Sequence, residues 1–202
     1  NTGRYTPARM PQRVDLPEDF LLEDGSNLGL VLNNLQHHYE TREQIIHYMR
    51  HLYRGVSDVT TKVHAGTIQV YFHEEGLRDP IPATRLSDGT LRFLSLLVIL
   101  CHPNPPALIC IEEPELGLHP DLMPIVADLL REGSERTQVI VTTHSDELID
   151  ALSDSPESVV VVERSDSGTA ASRLGSKALN TWLEKYRLGE LWKKGEIGGT
   201  RW

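Results

Sequence analysis

Two adjacent carboxylates follow a short apolar stretch in the middle of the chain. The run 107–111 is continuously apolar and leads directly into Glu112 and Glu113. Such a run is typical of a strand that is covered on both faces. Burying a lone carboxylate is costly, so carboxylates at this strand end predict a metal ion or another partner. Mg²⁺ commonly takes one or two carboxylates with phosphates and water, which leaves the second carboxylate to orient or deprotonate a water molecule.

A histidine leaves the next apolar strand along the chain. Val139, Ile140 and Val141 are followed by two threonines and then by His144. Neighbouring parallel strands end at the same edge of a sheet, so we expect His144 to lie near Glu113. An imidazole there can donate to a phosphate oxygen or to an attacking water. Considered separately, the two strand ends also fit a solvated acidic loop and a histidine satisfied by backbone groups.

A short polar segment precedes a long apolar helix. It consists of Leu86, Ser87, Asp88, Gly89 and Thr90 and runs into the apolar stretch 91–101. Ser87 can cap a helix, and Gly89 lets a ligand approach the backbone closely. Free N–H groups at a helix N-terminus bind anions. Taken alone, however, a Ser-Asp-Gly segment is more often an ordinary turn.

Alternating strands and helices must position these segments. The apolar runs and the helical spacing predict strands at 107–111, 139–141 and 159–162, with helices at 122–131 and 145–152 between them, the second capped by Ser145. This alternation predicts an α/β fold with a parallel sheet. Upstream, the spacing predicts one or two helices between residues 28 and 54, then a β-hairpin over 56–72 with its turn at 64–66. A further helix is expected at 177–186.

The three polar segments, in this order, resemble the ABC-type ATPase superfamily and, within it, the SMC/RecF/OLD-like branch of AAA-family ATPases. The segment 86–90 resembles the ABC signature, and 108–112 resembles Walker B followed by Glu113 at the position of the catalytic glutamate. His144 matches the switch histidine. The D-loop position is occupied by Glu115, Leu116, Gly117, Leu118 and His119. The closing stretch 188–199 is similar to the tail of bacterial ATPases of this branch.

The resemblance covers about residues 56–202 and implies an ABC-type P-loop NTPase core fragment. Residues 1–55 would be a linker and helical segment that ends an insertion. ATP and Mg²⁺ are the implied ligands, with Glu112 holding Mg²⁺ directly or through water. Glu113 would polarise the attacking water, and His144 would contact the γ-phosphate. Ser87 and Gly89 would reach the γ-phosphate of the ATP bound by a second copy, which makes the protein an ATP-dependent homodimer, with DNA repair or anti-phage defence as typical settings.

One part of the family pattern is missing from the sequence. The chain contains no Gly-Lys pair and therefore no Walker A loop to hold the α- and β-phosphates. We expect the chain to be the carboxyl-terminal half of a longer ATPase, with the Walker A half as its partner. We also predict that the 202-residue chain alone does not bind ATP at micromolar concentration. Calorimetric titration tests this prediction, and micromolar binding would refute it.

Three positions differ from the usual family residues. Glu112 stands where ABC enzymes usually have Asp. In the signature, Asp88 stands where the first Gly is usual, and Thr90 stands where Gln is usual. A carboxylate beside a phosphate is electrostatically unfavourable. We therefore expect Asp88 to point away or to pair with a cation, and Arg85 and Arg92 are the nearest candidates in the sequence.

Composition limits the other classes of function. The net charge of −9 does not favour broad DNA binding, and no apolar run approaches the roughly 20 residues that span a bilayer. Together with the absence of a secretory signal, this favours a cytoplasmic protein without a membrane partner. Two alternatives remain beside the ATPase. One is a metal-dependent hydrolase that uses Glu112, Glu113, His119 and His144, and the other is a non-catalytic interaction module.

Overall fold

The computed structural model describes residues 6–165 and 168–199 of the chain. The chain divides into two compact units, the first ending at Val141 and the second beginning at Thr142. Helices and strands alternate along both units, so the protein is of the α/β class. None of the described helices is both long enough and apolar enough to cross a membrane.

A short strand and two helices open the first unit. They are β1 (Gln12–Arg13), α1 (Leu28–Leu35) and α2 (Tyr39–Leu52), and both helices fall in the range that the spacing predicted. The buried side chain of Gln12 fixes the path of the chain before α1. Its Nε2 donates to the carbonyl oxygen of Gly25 at 3.0 Å, and its Oε1 accepts from the amide of Gly29 at 2.6 Å. The nitrogen and the oxygen of this buried side-chain amide therefore both have hydrogen-bond partners, which favours one position of the side chain over others.

A long hairpin provides the larger sheet of the first unit. β2 (Val56–His64) and β3 (Thr67–Glu74) pair antiparallel around a turn at Ala65 and Gly66, as the alternating pattern predicted. β1 and β4 (Ile81–Pro82) also pair with β3. One face of the hairpin packs against α1, and the side chains buried on that face include those of Val59, Ile68, Val70 and Phe72.

α3 (Asp88–Leu100) lies at the centre of the first unit, where it contacts α1, α2 and α4 (Met123–Ser134). Phe93, Leu94 and Leu97 on α3 are completely buried. The residue after the helix, Cys101, is buried too, and this burial raises the pKa of its thiol to about 12. The thiol is therefore neutral at physiological pH and acts as a small apolar group.

β5 (Leu108–Glu112) and β6 (Gln138–Thr142) form a separate two-stranded sheet. The strands begin side by side, because the amide of Gln138 donates to the carbonyl oxygen of Ala107 at 3.4 Å. The hydroxyl of Thr137 likewise donates to the carbonyl oxygen of Pro106. Adjacent starting points mean that the two strands run in the same direction, as predicted, and that their carboxyl ends share one edge.

One face of the β5–β6 sheet is open, so the expectation that these strands are covered on both faces was wrong. Ile109 is buried, whereas Leu108 and Cys110 on the same strand are exposed. Ile140 on β6 is 49% exposed. Alternate residues of a strand share a face, and the starting register places these three exposed side chains on the same side. The described residues of the first unit cover only the opposite side.

The second unit contains a short helix, a hairpin and two further helices. Its elements are α5 (Asp146–Ala151), β7 (Val160–Ser165), β8 (Gly168–Arg173), α6 (Ser176–Leu183) and α7 (Leu188–Lys193). The strand predicted at 159–162 exists as β7, but it pairs antiparallel with β8 and not in a parallel sheet with the earlier strands. The reason is local. β8 begins at Gly168, so close after β7 that the chain folds back and pairs with itself.

Candidate functional site

The two glutamates occupy the end of β5 and the position directly after it. Glu112 is the last strand residue and is exposed, and Glu113 is half-buried. Glu113 has a φ of +44°, in the left-handed region that residues other than glycine rarely adopt. Its carbonyl oxygen accepts from the amide of Leu116 at 3.0 Å, which closes a turn. Such a backbone costs about 1–2 kcal/mol, and strained residues of this kind cluster at functional sites.

The turn after Glu113 packs against the start of α3. Gly117, which has a φ of +74°, directs its carbonyl oxygen at Gly89, where a Cβ atom would lie only 2.7 Å from that oxygen. Arg92 reinforces the contact, because its Nη1 donates to the carbonyl oxygen of Leu116 at 2.9 Å. The structure thus brings the segments 86–90 and 115–119 together. Gly89 is needed here for close backbone packing, a role that its sequence context did not reveal.

The remainder of the 115–119 segment is a tight turn that leads into α4. The amide of Leu118 donates to the carbonyl oxygen of Glu115 at 3.0 Å. His119 is exposed and caps the next helical turn, where its Nδ1 accepts from the amide of Asp121 at 3.3 Å. The five residues of this segment therefore form a compact loop between β5 and α4, with the side chain of Leu116 48% exposed at its tip.

Ser87 begins α3 as its sequence context predicted. Its Oγ accepts from the amide of Thr90 at 3.1 Å and lies 2.7 Å from the Thr90 hydroxyl. This side-chain cap satisfies one of the free N–H groups at the start of the helix. Ser87 is exposed, and Gly89 and Thr90 are half-exposed, so the start of α3 is accessible to a ligand.

Asp88 pairs with Arg9 and not with Arg85 or Arg92, so both candidates from the sequence were wrong. An Nη2 atom of Arg9 lies 2.5 Å from Oδ1 of Asp88. Arg92 is occupied with the carbonyl oxygen of Leu116. Sequence reasoning missed Arg9 because it precedes Asp88 by 79 positions, and nothing in the local pattern marks it as a partner.

His144 lies in the second unit, in the turn between β6 and α5. The Thr143 hydroxyl accepts from the amide of Ser145 at 3.0 Å. Ser145 caps α5 as predicted, with its Oγ accepting from the amide of Leu148 at 3.1 Å. The histidine is thus an exposed residue in a well-defined turn. Its expected proximity to Glu113 stays a prediction, because the two residues belong to different units.

The donor chemistry at the end of β5 fits Mg²⁺. Glu112 and Glu113 offer carboxylate oxygens, which Mg²⁺ prefers, and Glu112 is exposed to an incoming ligand. Within residues 6–165 and 168–199, no three His, Cys, Asp or Glu side chains are grouped so that they could hold a metal ion. A magnesium ion that is bound by one or two carboxylates and by phosphates needs no such group. The metal-dependent hydrolase gains no support from the arrangement of its four candidate residues.

Family and fold together define the class of protein. The family match and the shared fold support an ATPase-type nucleotide-binding domain of the ABC/SMC type. Residues 4–150 match the family described as "AAA domain, putative AbiEii toxin, Type IV TA system". The match covers more than half of the chain, and the chain belongs to this family.

Solved structures of SMC head domains share the fold. One, from work on ATP-driven dimerization and DNA-stimulated activation of SMC ATPases, has a TM-score of 0.54 at 16% identity and covers 75% of this chain and 94% of its own. The Smc head of Pyrococcus furiosus with an extended coiled coil, bound to the C-terminal domain of ScpA, has a TM-score of 0.56 at 17% identity, with 75% and 38% covered. The Smc head bound to the C-winged helix domain of ScpA has a TM-score of 0.57 at 17% identity, and the match covers 72% of this chain and 46% of that one.

A curated relative also shows sequence similarity. ABC transporter A family member 12 of Arabidopsis thaliana is 30% identical over 113 residues, which is 56% of this chain. The chain spans only 12% of the length of that transporter. The similarity therefore concerns one region of a much larger protein.

Proposed function

We propose that this chain is the carboxyl-terminal half of a domain that binds and hydrolyses ATP, and that a Walker A segment outside these 202 residues completes its site. The observation that carries the proposal is the left-handed backbone of Glu113, with a φ of +44°, directly after β5. Strained residues of this kind cluster at active sites and ligand-binding sites. Membership of the AAA family supports the same activity.

The two glutamates and the histidine have separate roles in this proposal. Glu113 orients the attacking water and takes its proton as the bond to the γ-phosphorus forms, while ADP leaves. His144 donates a hydrogen bond to a γ-phosphate oxygen. Glu112 would hold Mg²⁺, directly or through water. When bound, the ion neutralises charge on the phosphates.

The signature segment, residues 86–90, acts on a second nucleotide. Ser87 and Gly89 contact the γ-phosphate of ATP bound to a partner protomer, so two ATP molecules hold a homodimer together and hydrolysis releases it. The close approach of Gly89 to the carbonyl oxygen of Gly117 supports this coupling, since the signature segment is in direct contact with the D-loop, residues 115–119. DNA repair and anti-phage defence are the settings that the family resemblance suggests.

The open face of the β5–β6 sheet is where we place the Walker A half. Leu108 and Ile140 are 46% and 49% exposed there, and apolar strand residues of a central sheet are stabilised by burial. The missing half would cover them and bring its phosphate-binding loop to the carboxyl edge of the sheet. Residues 1–55 then form the end of an insertion that returns to the core, which the pairing of β1 with β3 supports.

Mixing two inactive variants tests the shared-site arrangement. In the ATPase that carries both halves, Ser87→Arg blocks the signature and Glu113→Gln removes the proton acceptor, so each variant alone should hydrolyse ATP at least 100-fold more slowly. In a mixed dimer, one of the two sites combines an intact Glu113 with an intact Ser87 of the partner. We therefore expect the mixture to recover a substantial part of the wild-type rate, measured as phosphate release.

The control is a mixture of the single variants with a chain that carries both substitutions, which cannot form an intact site. Equal rates for that control and for the Ser87→Arg with Glu113→Gln mixture would contradict sites shared between protomers. Full activity of Glu113→Gln on its own would contradict the proposed role of Glu113 as the proton acceptor.

A further inference from the structure

A buried arginine from the start of the chain holds the signature segment. The side chain of Arg9 is only 9% exposed, and its Nη2 lies 2.5 Å from Oδ1 of Asp88. Its Nη1 donates to the carbonyl oxygen of Leu86 and, at 3.4 Å, to that of Ala83. One guanidinium thus contacts the backbone on the amino-terminal side of Ser87 and the side chain on its carboxyl-terminal side.

The surroundings of Arg9 are unusual for a purely structural arginine. Arginine is rarely buried unless it is fully paired, because removing its charge from water is costly. Within residues 6–165 and 168–199, the Nε atom of Arg9 is buried and has no hydrogen-bond partner. A buried donor without a hydrogen-bond partner is destabilising. The protein tolerates this cost at a position where the two Nη atoms contact the signature segment.

The chemistry of the signature segment explains why a cation is needed there. Asp88 stands next to Ser87, which in the proposed function contacts a γ-phosphate, and an uncompensated carboxylate would repel that phosphate. The guanidinium of Arg9 pairs with this carboxylate and offsets its negative charge beside the exposed Ser87. A guanidinium can do this and bind carbonyl oxygens at once because its donors are arranged in a planar fork.

We infer that Arg9 is a positioning residue for the signature segment: it fixes the backbone around Ser87 and neutralises Asp88, so that the segment can approach a phosphate. This inference rests on the proposed function for its effect on hydrolysis. Its structural half, the restraint of residues 86–90 by Arg9, does not depend on that function.

Hydrogen exchange on the 202-residue chain tests the structural half. Arg9→Met keeps much of the apolar stem but removes the fork, so amides of residues 86–91 should exchange at least several-fold faster while α1 and β3 stay protected. Arg13→Met is the matched control, because Arg13 pairs with Asp15 on the exposed surface and should leave the signature amides unchanged. Arg9→Lys, which retains the charge without the fork, should give an intermediate rate. Unchanged exchange at 86–91 in both Arg9 variants would overturn the inference.

Hydrolysis by the ATPase that carries both halves tests the electrostatic half. Arg9→Met should lower the rate at least 10-fold because Asp88 then faces the phosphate uncompensated, and Asp88→Asn alone provides the reference rate without that carboxylate. The double variant Arg9→Met/Asp88→Asn should recover most of the lost rate. A merely structural arginine would show no such rescue, since removing the negative charge does not restore the lost packing.

The outcomes separate this inference from the proposed function. If Ser87→Arg abolishes hydrolysis but Arg9→Met does not slow it, the role of Arg9 is wrong and the proposed ATPase stands. If Arg9→Met is slow and Asp88→Asn gives no rescue, charge neutralisation is wrong. If the unsubstituted ATPase that carries both halves does not hydrolyse ATP, the proposed function fails, and the exchange experiment alone decides whether Arg9 restrains the segment.

Discussion

In the ATPase that carries both halves, replacing Glu113 by glutamine should lower the rate of ATP hydrolysis by about 10²–10⁴-fold, which is the usual contribution of a general base. The substitution keeps the size of the side chain and its capacity for hydrogen bonding, but it removes the proton acceptor. ATP binding should persist, so the ATP-bound dimer should accumulate. Phosphate release gives the rate, and analytical ultracentrifugation with ATP gives the dimer fraction in the same preparation.

Glycine at the same position tests whether the strained backbone costs stability at a residue that hydrolysis requires. Because Glu113 has a φ of +44°, Glu113→Gly should raise the free energy of unfolding, by up to about 1 kcal/mol, while hydrolysis is lost. Ala65→Gly is the matched control, since Ala65 has a φ of +45° in the hairpin turn and no proposed role in catalysis. That variant should gain similar stability and keep full activity. A loss of stability in Glu113→Gly would argue against backbone strain at this site, and wild-type hydrolysis in Glu113→Gln would exclude Glu113 as the base.

Adding a side chain at Gly189 should separate α7 from α5 in the second unit. A Cβ atom there would lie 2.3 Å from the backbone oxygen of Asp146 and 2.6 Å from Oδ1 of Asp150, which already accepts from the Gly189 amide at 2.6 Å. The backbones of α5 and α7 can relieve this overlap only if one of the helices moves. Leu188 and Leu191, both completely buried, would lose their packing, so we expect Gly189→Val to cost about 2–5 kcal/mol.

Thermal unfolding of the 202-residue chain measures this effect, with exchange of the α5 and α7 amides as the local readout. Gly175→Ala is the control, because no heavy atom lies within 4 Å of the position that its Cβ would take. The control should unfold like the wild type. An unchanged melting temperature and unchanged protection in Gly189→Val would show that α7 does not depend on this close contact. The ionic contact between Lys193 and Asp146 would then be the stronger link between the two helices.

The sequence determined the local elements of this protein well. Alternating apolar residues predicted the β2–β3 hairpin and its turn, and the structure has them at Val56–His64 and Thr67–Glu74. Ser87 and Ser145 were predicted to cap helices, and each accepts the expected backbone N–H. These features depend on residues a few positions apart, for which spacing and side-chain chemistry are sufficient information.

The tertiary structure decided how distant segments combine. The apolar run of β5 could not reveal that Leu108 is exposed while Ile109 is buried, because a run that is apolar throughout has no period to mark the covered face. The partner of Asp88 could not be read from its neighbours, since Arg9 is 79 positions away and comes next to Asp88 only through the tertiary fold.

The order of the signature, strand-end glutamate and histidine motifs was enough to place the chain among ABC/SMC-type ATPases, because such chemistry depends on residue types at fixed places in the sequence. The strain at Glu113 and the contact between Gly89 and Gly117 required coordinates. A backbone dihedral angle and the approach of two glycines in separate loops are set by packing, which no local pattern encodes.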